Sequence, residues 1–164
     1  MNKERFLEIS RWFGSYQYRR TLLIWSEKLS VIFFYIFYAA LLLILLFSHN
    51  PEILRALLVP AVVFFGGTLL RSALNRPRPY EVWQTEPLVP KNTKGKSFPS
   101  RHALSAAVIT SAWLWYSQTV GIILVFMLFL VCLIRVIAGV HFCRDVAAGA
   151  AFGLLFGCLG FFAL

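Results

Sequence analysis

Long apolar runs alternate with short polar segments along most of this chain. We interpret five of these runs as crossings of a hydrocarbon layer about 30 Å thick, namely residues 29–47, 53–74, 103–116, 120–138 and 146–164. The polar pairs Asn50-Pro51 and Gln118-Thr119 are typical of short turns, so consecutive helices are expected to run antiparallel. The pattern predicts an all-α fold: a polytopic membrane helix bundle with about five transmembrane helices in a single domain, 1–164.

The first 20 residues follow a different pattern, because charged and aromatic side chains are interspersed within them. Segments of this kind lie in the membrane interface rather than across the bilayer, with rings such as that of Trp12 at the level of the headgroups. We therefore predict an interfacial amphipathic helix over residues 1–20. A solvated polar tail is the alternative interpretation.

The long connection between the second and third runs, residues 75–99, is also distinctive. It is interrupted by Pro77, Pro79, Pro87, Pro90 and Gly95, which argue against any regular element. Long loops inside compact domains are usually functional or disordered. Because unusual polar residues flank this connection on both sides, we predict an active-site loop.

Small residues recur along the last apolar run. Gly149, Gly153, Gly157 and Gly160 form a stripe that indicates close packing against another helix rather than chemistry. Cysteine spacing is uninformative, since Cys132, Cys143 and Cys158 form no CxxC pair. We interpret the three thiols as small buried side chains, without a disulfide or a metal site.

Composition places the chain in the class of integral membrane proteins. Its 59% hydrophobic content and mean hydropathy of +0.72 exceed the roughly half-apolar composition of soluble domains. The net charge of +9 comes mainly from the first 28 or so residues and from residues 71–101, beside the predicted spans. We therefore expect the lipid bilayer and phosphate groups, and not nucleic acid, to be the partners.

Two arginines mark the end of the second run. Arg71 and Arg78 are seven residues apart, which is two helical turns, so a continuing helix would direct both toward one patch. A guanidinium group binds phosphate oxygens in pairs, which suits a phosphate ligand. Alternatively, either arginine is an anchor that reaches the lipid headgroups.

The third run begins after Ser100, Arg101 and His102. Ser100 is well placed as an N-cap, which would leave backbone N–H groups and the positive end of the helix dipole free to bind an anion. His102 would then stand beside that anion. The plainer alternatives are that Ser100 only caps the helix and that His102 is an ordinary interfacial histidine.

The stretch after the fourth run holds three ionisable residues in apolar sequence: Arg135, His141 and Asp145. Ionisable groups at membrane depth are costly unless they are paired or face water, so they are candidates for a functional site. His141 and Asp145, four residues apart, share a face if the segment is helical. Asp145 could instead cap the last helix, and His141 could be structural, whereas Arg135 would need a partner.

Antiparallel connectivity brings these three groups to the same membrane face. Arginines and helix N–H groups can hold a phosphoryl group and stabilise charge on its oxygens. One neutral imidazole can attack phosphorus if a carboxylate orients it, and a second, protonated imidazole can donate to the leaving oxygen. Since no carboxylate cluster is present for magnesium, we predict a metal-free mechanism with no metal site and no cofactor.

The three groups resemble the signature motifs of the type 2 phosphatidic acid phosphatase family: Lys-x6-Arg-Pro, then Pro-Ser-Gly-His, then Ser-Arg-x5-His-x3-Asp. In this chain the corresponding stretches are Arg71-x6-Arg78-Pro79, Pro99-Ser100-Arg101-His102 and Ile134-Arg135-x5-His141-x3-Asp145. The resemblance covers roughly the final two-thirds of the chain. The order and spacing of the three motifs make it specific.

The resemblance implies a role for each matching residue. His141 would be the nucleophile that forms a phosphohistidine, Asp145 would orient it, and His102 would be the general acid that later activates water. The phosphate-binding residues would be Arg71, Arg78, Ser100, Arg101 and Arg135.

Three positions depart from the family pattern. Arg71 replaces lysine and keeps the charge, Arg101 replaces glycine, and Ile134 replaces serine and so removes a hydroxyl. The Arg101 side chain could reach a second phosphate or a headgroup. Lys91, Lys94 and Lys96 could also serve a second phosphate, although a solvated loop face is the simpler interpretation.

The resemblance further implies a multi-pass protein of the bacterial inner membrane with its site on the extracytoplasmic face, although the positive-inside rule favours the cytoplasm. Family members of this size resemble phosphatases that act on isoprenoid diphosphates, phosphatidate-type lipids or lipid A, and undecaprenyl diphosphate is our first choice. A phosphotransferase with the same residues is one alternative. A lipid or anion transporter is another, and it would not need His102, His141 and Asp145 together.

Overall fold

The computed structural model describes residues 3–163, and every regular element in that range is helical. The helices are α1 (Lys3–Gly14), α2 (Gln17–Phe47), α3 (Ile53–Leu74), α4 (Pro79–Trp83), α5 (Arg101–Tyr116), α6 (Gln118–Ile137) and α7 (Cys143–Cys158), followed by one turn of π-helix (Leu159–Ala163). The predicted all-α helix bundle is confirmed.

Four segments are long and apolar enough to cross a membrane: Gln17–Phe47, Ile53–Trp83, Gln118–Ile137 and Cys143–Ala163. The remaining predicted span corresponds to α5, which has 16 residues and would extend only about 24 Å at 1.5 Å per residue. Ten of its residues are buried, so α5 is the central helix of the bundle and its neighbours surround it.

The glycine stripe of α7 packs directly on α5. A methyl group at Gly149 would lie 2.4 Å from the carbonyl oxygen of Ser100, and one at Gly153 would lie 2.5 Å from that of Leu104. These distances leave no room for a side chain, which confirms the close packing predicted from the glycines. The contact fixes the start of α7 against the start of α5, where two of the three motifs lie.

The N-terminal segment differs from the prediction of one helix over residues 1–20. Helix α1 ends at Gly14, and residues from Gln17 onward already belong to α2. Helix α1 also packs into the protein, because Phe6 is completely buried against Gly139 and its ring lies 5.2 Å from that of Trp83. Its interfacial position remains a prediction.

The connection 75–99 contains a regular element that the prolines seemed to exclude. Pro79 stands at the start of α4, a position that tolerates proline because the first helical N–H has no partner in the helix. The Glu81 carboxylate accepts hydrogen bonds from the backbone N–H groups of Arg78, at 2.8 Å, and Gly95, at 2.9 Å. One side chain therefore ties the two ends of the loop together.

Candidate active site

The ends of four helices meet at one face of the bundle, as antiparallel connectivity predicted. The Ser100 N–H before α5 donates to the carbonyl of Asp145 in α7, at 2.8 Å. The Leu88 N–H of the long loop donates to the carbonyl of Ala138 after α6, at 3.1 Å. These bonds join the second and third motifs and attach the loop to them.

A cavity of about 70 Å³ lies at this junction, and we call it the phosphate cavity. It is lined by Arg71, Arg78, Lys91, Thr93, Arg101, His102, Arg135 and His141. Six of these eight residues were predicted site residues. The other two predicted residues, Ser100 and Asp145, are buried and do not line the cavity.

His141 is 2% exposed, and its Nδ1 faces a serine, Ser97, and the carboxylate of Asp145. The hydroxyl of Ser97 donates a hydrogen bond to Oδ2 of Asp145, at 2.5 Å, and lies 3.4 Å from Nδ1 of His141. The direct distance from that Nδ1 to Asp145 Oδ2 is 3.8 Å, which is too long for a hydrogen bond. Ser97 therefore bridges the imidazole and the carboxylate.

This bridge selects a tautomer of His141. The Ser97 hydroxyl donates its hydrogen bond to Asp145, so its oxygen is free to accept a hydrogen bond from the Nδ1–H of the imidazole. Nε2 then carries the lone pair. Burial, together with the positive charges of Arg78 and Arg71, lowers the pKa of His141 to about 4, so the ring is neutral at physiological pH.

The two arginines of the first motif are anchored differently. Arg78 donates from Nε to the carbonyl of Gly95, at 3.0 Å, and from a terminal nitrogen to the carbonyl of Val140, at 3.2 Å. It therefore links the long loop to the residue just before the nucleophile candidate. Arg71 makes a single long contact with the Pro99 carbonyl, at 3.5 Å, which leaves most of its donors for a ligand.

Arg135 has the partner that its buried position requires. A terminal nitrogen of its guanidinium lies 2.5 Å from a carboxylate oxygen of Glu27 on α2, while Nε is buried without a hydrogen-bond partner. Arg135 is only 2% exposed, so the ion pair compensates a charge that would be costly alone. The same side chain faces the phosphate cavity.

The structure also decides between the alternatives for two residues. Ser100 occupies the N-cap position of α5, but its side chain makes no capping hydrogen bond, and within residues 3–163 its buried hydroxyl has no partner. Asp145 is the third residue of α7, and its carboxylate accepts from the N–H of Phe142, at 3.1 Å. Asp145 therefore stabilises the start of α7 from the first turn of the helix and is not its N-cap residue.

His102 stands in the first turn of α5 and lines the phosphate cavity from another wall. Its Nδ1 is buried and has no hydrogen-bond partner. The site thus holds two imidazoles with different surroundings. The first is oriented by Ser97, whereas burial and the positive charges of Arg135 and Lys91 lower the pKa of the second in the free protein.

Four residues that the structure brings to the site were not among the predicted site residues. These residues are Ser97, Lys91, Thr93 and Glu27. Lys91 was interpreted as part of a solvated loop face, yet it lines the cavity, and burial beside Arg135 lowers the pKa of its ammonium group. Two of the four had a signal in the sequence: Lys91 was considered as a ligand of a second phosphate, and Ser97 lies beside the second motif.

Two further expectations concern metals and thiols. Within residues 3–163, no three His, Cys, Asp or Glu side chains are grouped as metal ligands would be. Cys132 and Cys158 are half-buried and Cys143 is exposed, so the prediction of buried thiols is wrong for Cys143. That residue opens α7 on the site face, where the helix start is accessible.

Comparison with known proteins agrees with the fold. The model of the PAP2 superfamily matches residues 52–163. The crystal structure of a PAP2-type phosphatidylglycerolphosphate phosphatase from Bacillus subtilis has a TM-score of 0.69 and 24% identity, covering 96% of this chain and 83% of that one. The crystal structure of Aquifex aeolicus LpxE has a TM-score of 0.67 and 24% identity, covering 94% and 93%. No curated protein matches the chain.

Proposed function

The chain belongs to the PAP2 superfamily, and from this membership and the geometry of the site we propose that it is a membrane lipid phosphatase. In this proposal the 164 residues form a single phosphatase domain whose active-site loop is residues 75–99. The enzyme would cleave a phosphate monoester or diphosphate bond through a phosphohistidine. The similar Bacillus subtilis structure is that of a phosphatidylglycerolphosphate phosphatase, which is in keeping with a lipid phosphate as substrate.

One observation carries the proposal: a neutral, oriented imidazole and a second imidazole face the same small cavity among five cationic side chains. The nucleophile candidate is His141 and the proton donor candidate is His102. The cations are Arg71, Arg78, Lys91, Arg101 and Arg135. Preorganised cations around a phosphoryl group stabilise the negative charge on its equatorial oxygens in the transition state.

In the first step, Nε2 of His141 attacks phosphorus and a bond forms between them. The negative charge of the bound substrate raises the pKa of His102, which burial lowers in the free protein, so that His102 can be protonated in the complex. The bond from phosphorus to the leaving oxygen breaks, and protonated His102 gives its proton to that oxygen. The imidazole ring of His141 becomes positively charged. Asp145 stabilises this charge through the Ser97 hydroxyl.

In the second step, now neutral His102 takes a proton from a water molecule, whose oxygen attacks the phosphorus. The bond between phosphorus and Nε2 breaks, inorganic phosphate is released, and His141 returns to its neutral form. Every proton transfer in this scheme is made by protein side chains and water. We therefore propose that the reaction is independent of metal ions and cofactors.

The substrate is proposed to be a membrane lipid whose tail stays in the bilayer, because the site opens at the end of an apolar helix bundle. Undecaprenyl diphosphate is our first candidate and a phosphatidate-type lipid is the second. A phosphotransferase that passes the phosphoryl group to another lipid would use the same residues. Adding an alcohol acceptor and measuring the transferred product separates it from a hydrolase.

We propose that the protein is located in a bacterial inner membrane with its site on the extracytoplasmic face. The family resemblance supports this face. The positive-inside pattern favours the opposite one, but several of the arginines it counts are needed by the site. A Lys94→Cys variant without the native cysteines should react with a membrane-impermeant thiol reagent in intact cells, whereas His49→Cys at the other end of the bundle should not. The reverse labelling pattern would place the site in the cytoplasm.

The function is tested by phosphate release from undecaprenyl diphosphate and phosphatidate, with purified protein in detergent and EDTA present. We expect His141→Ala to reduce release at least about 1,000-fold, because the nucleophile is removed. His49→Ala is the matched control, since His49 is the third histidine and is exposed in the turn between α2 and α3. It should keep the wild-type rate.

Release that survives His141→Ala, or release that EDTA abolishes, would contradict the mechanism. If folded wild-type protein releases phosphate from no lipid phosphate, a transporter that binds anions with the same arginines becomes the better explanation. That alternative predicts that lipid binding persists in His141→Ala and in His102→Ala.

A further inference from the structure

Two additional cavities continue from the phosphate cavity along one side of the bundle. The first, which we call the leaving-group cavity, has a volume of about 190 Å³ and shares Arg101 and His102 with the phosphate cavity. The second has a volume of about 370 Å³ and shares Tyr35 and Phe64 with the leaving-group cavity. Neighbouring cavities in this series share wall residues, and the last two lie along α2, α3 and α5.

The polarity of the walls falls along this series. The phosphate cavity has mainly charged walls, whereas the leaving-group cavity adds the hydroxyls of Ser30 and Ser105 to aromatic and aliphatic side chains. The last cavity is lined mostly by apolar residues, including Leu57 and Pro60. This gradient suits a molecule that is charged at one end and apolar at the other.

The proposed reaction fixes which part of the substrate enters the leaving-group cavity. In phosphoryl transfer the attacking and leaving atoms lie roughly in line on opposite sides of phosphorus. The attacking atom belongs to His141, which lines only the phosphate cavity, and the leaving oxygen must lie next to the proton donor His102. His102 lines both the leaving-group cavity and another cavity beside Glu27 and Lys28, but only the first also contains Arg101 and adjoins the apolar cavity, so we assign the leaving group to it.

Arg101 stands at the same boundary and has no anionic partner of its own. Its guanidinium lies 5.7 Å from the centre of the Phe64 ring, and no ion pair or side-chain hydrogen bond involves it within residues 3–163. The side chain is exposed, so a ligand can reach it. An arginine without a carboxylate at the edge of a cavity is well suited to bind a phosphate.

Arg101 lines both cavities, and its charge is not required to balance that of the transferred phosphoryl group. Four other cations line the phosphate cavity, namely Arg71, Arg78, Lys91 and Arg135, and of these Arg135 is paired with Glu27. A terminal phosphate carries at most about two negative charges. The charge of Arg101 is therefore available for a group on the leaving side.

We propose that Arg101 is a specificity-determining residue that binds a second phosphate, located in the leaving group, so that the enzyme prefers lipids whose leaving group is itself anionic. This inference rests on the proposed phosphatase function. In a lipid diphosphate, the bond from His141 to the terminal phosphorus forms, the bridging P–O bond breaks, and the lipid monophosphate departs with the bridging oxygen. The second phosphate can equally be the phosphodiester of a phosphatidylglycerolphosphate. A phosphatidate, by contrast, releases a neutral diacylglycerol.

Two substrate pairs with matched tails test the proposal. The first pair is undecaprenyl diphosphate and undecaprenyl monophosphate, and the second is phosphatidylglycerolphosphate and phosphatidate. In at least one pair, we expect Arg101→Gln to lower kcat/KM about 10- to 100-fold for the lipid whose leaving group is anionic. This is the usual effect of losing a hydrogen bond to a charged group. The neutral-leaving-group member should change less than about threefold. Which pair responds identifies the source of the second phosphate.

Lys94→Gln is the matched control, because Lys94 is an exposed cation of the same face that lines none of these cavities. It should leave all four rates unchanged. An equal fall for both members of each pair in Arg101→Gln, or no fall in either, would overturn the assignment of Arg101 while the phosphatase function stands. If wild-type protein hydrolyses none of the four lipids, the proposed function fails instead.

Discussion

The Ser97 hydroxyl donates a hydrogen bond of 2.5 Å to the Asp145 carboxylate, and through this bond the carboxylate reaches His141. The serine is completely buried, and it lies three residues before Ser100 in the second motif. A carboxylate that orients a nucleophilic imidazole usually does so directly. In this protein the hydroxyl transmits the effect, so Ser97 is a positioning residue.

The first prediction concerns this hydroxyl. Ser97→Ala should lower kcat about 10- to 100-fold with little change in KM, because a hydrogen bond to a charged group is lost behind the nucleophile and not at the substrate. Steady-state kinetics on a lipid phosphate measure both parameters. A rise in KM with kcat unchanged would mean that Ser97 serves substrate binding instead.

Two companion variants separate positioning from packing. Ser97→Cys keeps a weak donor of similar size and should recover part of the lost kcat. Ser26→Ala removes a hydroxyl that bonds only to the Leu22 carbonyl of its own helix, and it should have the wild-type kcat. If Ser97→Ala and Ser97→Cys behave alike and both lose thermal stability, the role of Ser97 is structural.

The second prediction concerns the buried ion pair of Glu27 and Arg135. Glu27→Gln leaves the Arg135 charge without compensation, and breaking a buried pair in this way typically costs about 3 to 5 kcal/mol of stability. Inorganic phosphate should restore part of that loss, because the anion supplies the missing negative charge. We therefore expect phosphate to raise the melting temperature more in Glu27→Gln than in the wild type.

Glu52→Gln provides the comparison, because Glu52 pairs with Arg55 at a more exposed position. Exposed pairs contribute about 0 to 1 kcal/mol, so this variant should melt close to the wild type and show the wild-type response to phosphate. Thermal unfolding in detergent, followed with and without phosphate, gives all the values. An equal phosphate shift in the wild type and in Glu27→Gln would show that Arg135 does not contact the anion.

The sequence was sufficient for the architecture and for the motif residues, for a physical reason. Long apolar runs indicate membrane helices, and short turns between them indicate antiparallel packing. The helix ends that carry Arg71, His102 and His141 are therefore expected at the same face of the bundle. The exception is α5, whose 16 residues do not span the layer by length. Its burial by other helices is a tertiary property that hydropathy does not record.

Pairings between distant segments could not be predicted in the same way. Glu27 stands beside Lys28 just before the first apolar run, and nothing in the sequence indicates that its partner is Arg135. Its contact with Arg135 depends on how α2 crosses α6. The position of Lys91 in the cavity depends likewise on hydrogen bonds that fold the long loop, such as that from the Arg20 side chain to the Leu88 carbonyl, at 3.1 Å.

The third prediction concerns the packing of α1 on the site. Phe6 is completely buried against Gly139, two residues before the nucleophile candidate His141. Removing a buried phenylalanine typically costs about 3 to 5 kcal/mol. Phe6→Ala should therefore lower the melting temperature and also kcat, because the turn that carries His141 loses its support.

Trp12→Ala is the control for this effect, because the Trp12 side chain is on the same helix but is 55% exposed. It should change the melting temperature in detergent little. Since α1 is predicted to be interfacial, Trp12→Ala should instead weaken binding of the N-terminal helix to lipid. If Phe6→Ala leaves kcat unchanged despite lower stability, α1 does not position the site.

The last prediction concerns the protonation of His141. Burial and the neighbouring charges of Arg78 and Arg71 lower its pKa to about 4 in the free protein, although Asp145 acts in the opposite direction. A histidine in the unfolded chain has a pKa of about 6.5. The folded protein therefore keeps this imidazole neutral between pH 6.5 and about 4, where the unfolded chain would bind a proton.

Two consequences follow from the lowered pKa of His141 in the folded protein. Protonation of His141 should not limit kcat/KM until the pH approaches 4. The contribution of the neutral imidazole to stability should be complete above pH 6.5 and fall as the pH is lowered toward 4.

The chain has only three histidines, so NMR of isotope-labelled imidazoles resolves each titration, and His141→Ala identifies the signal. Bound phosphate should raise the midpoint, because its negative charge stabilises the imidazolium form. A midpoint near 6.5 in the free protein would mean that the cavity admits enough water to remove the effect of burial, and the neutral nucleophile at acidic pH would be lost with it.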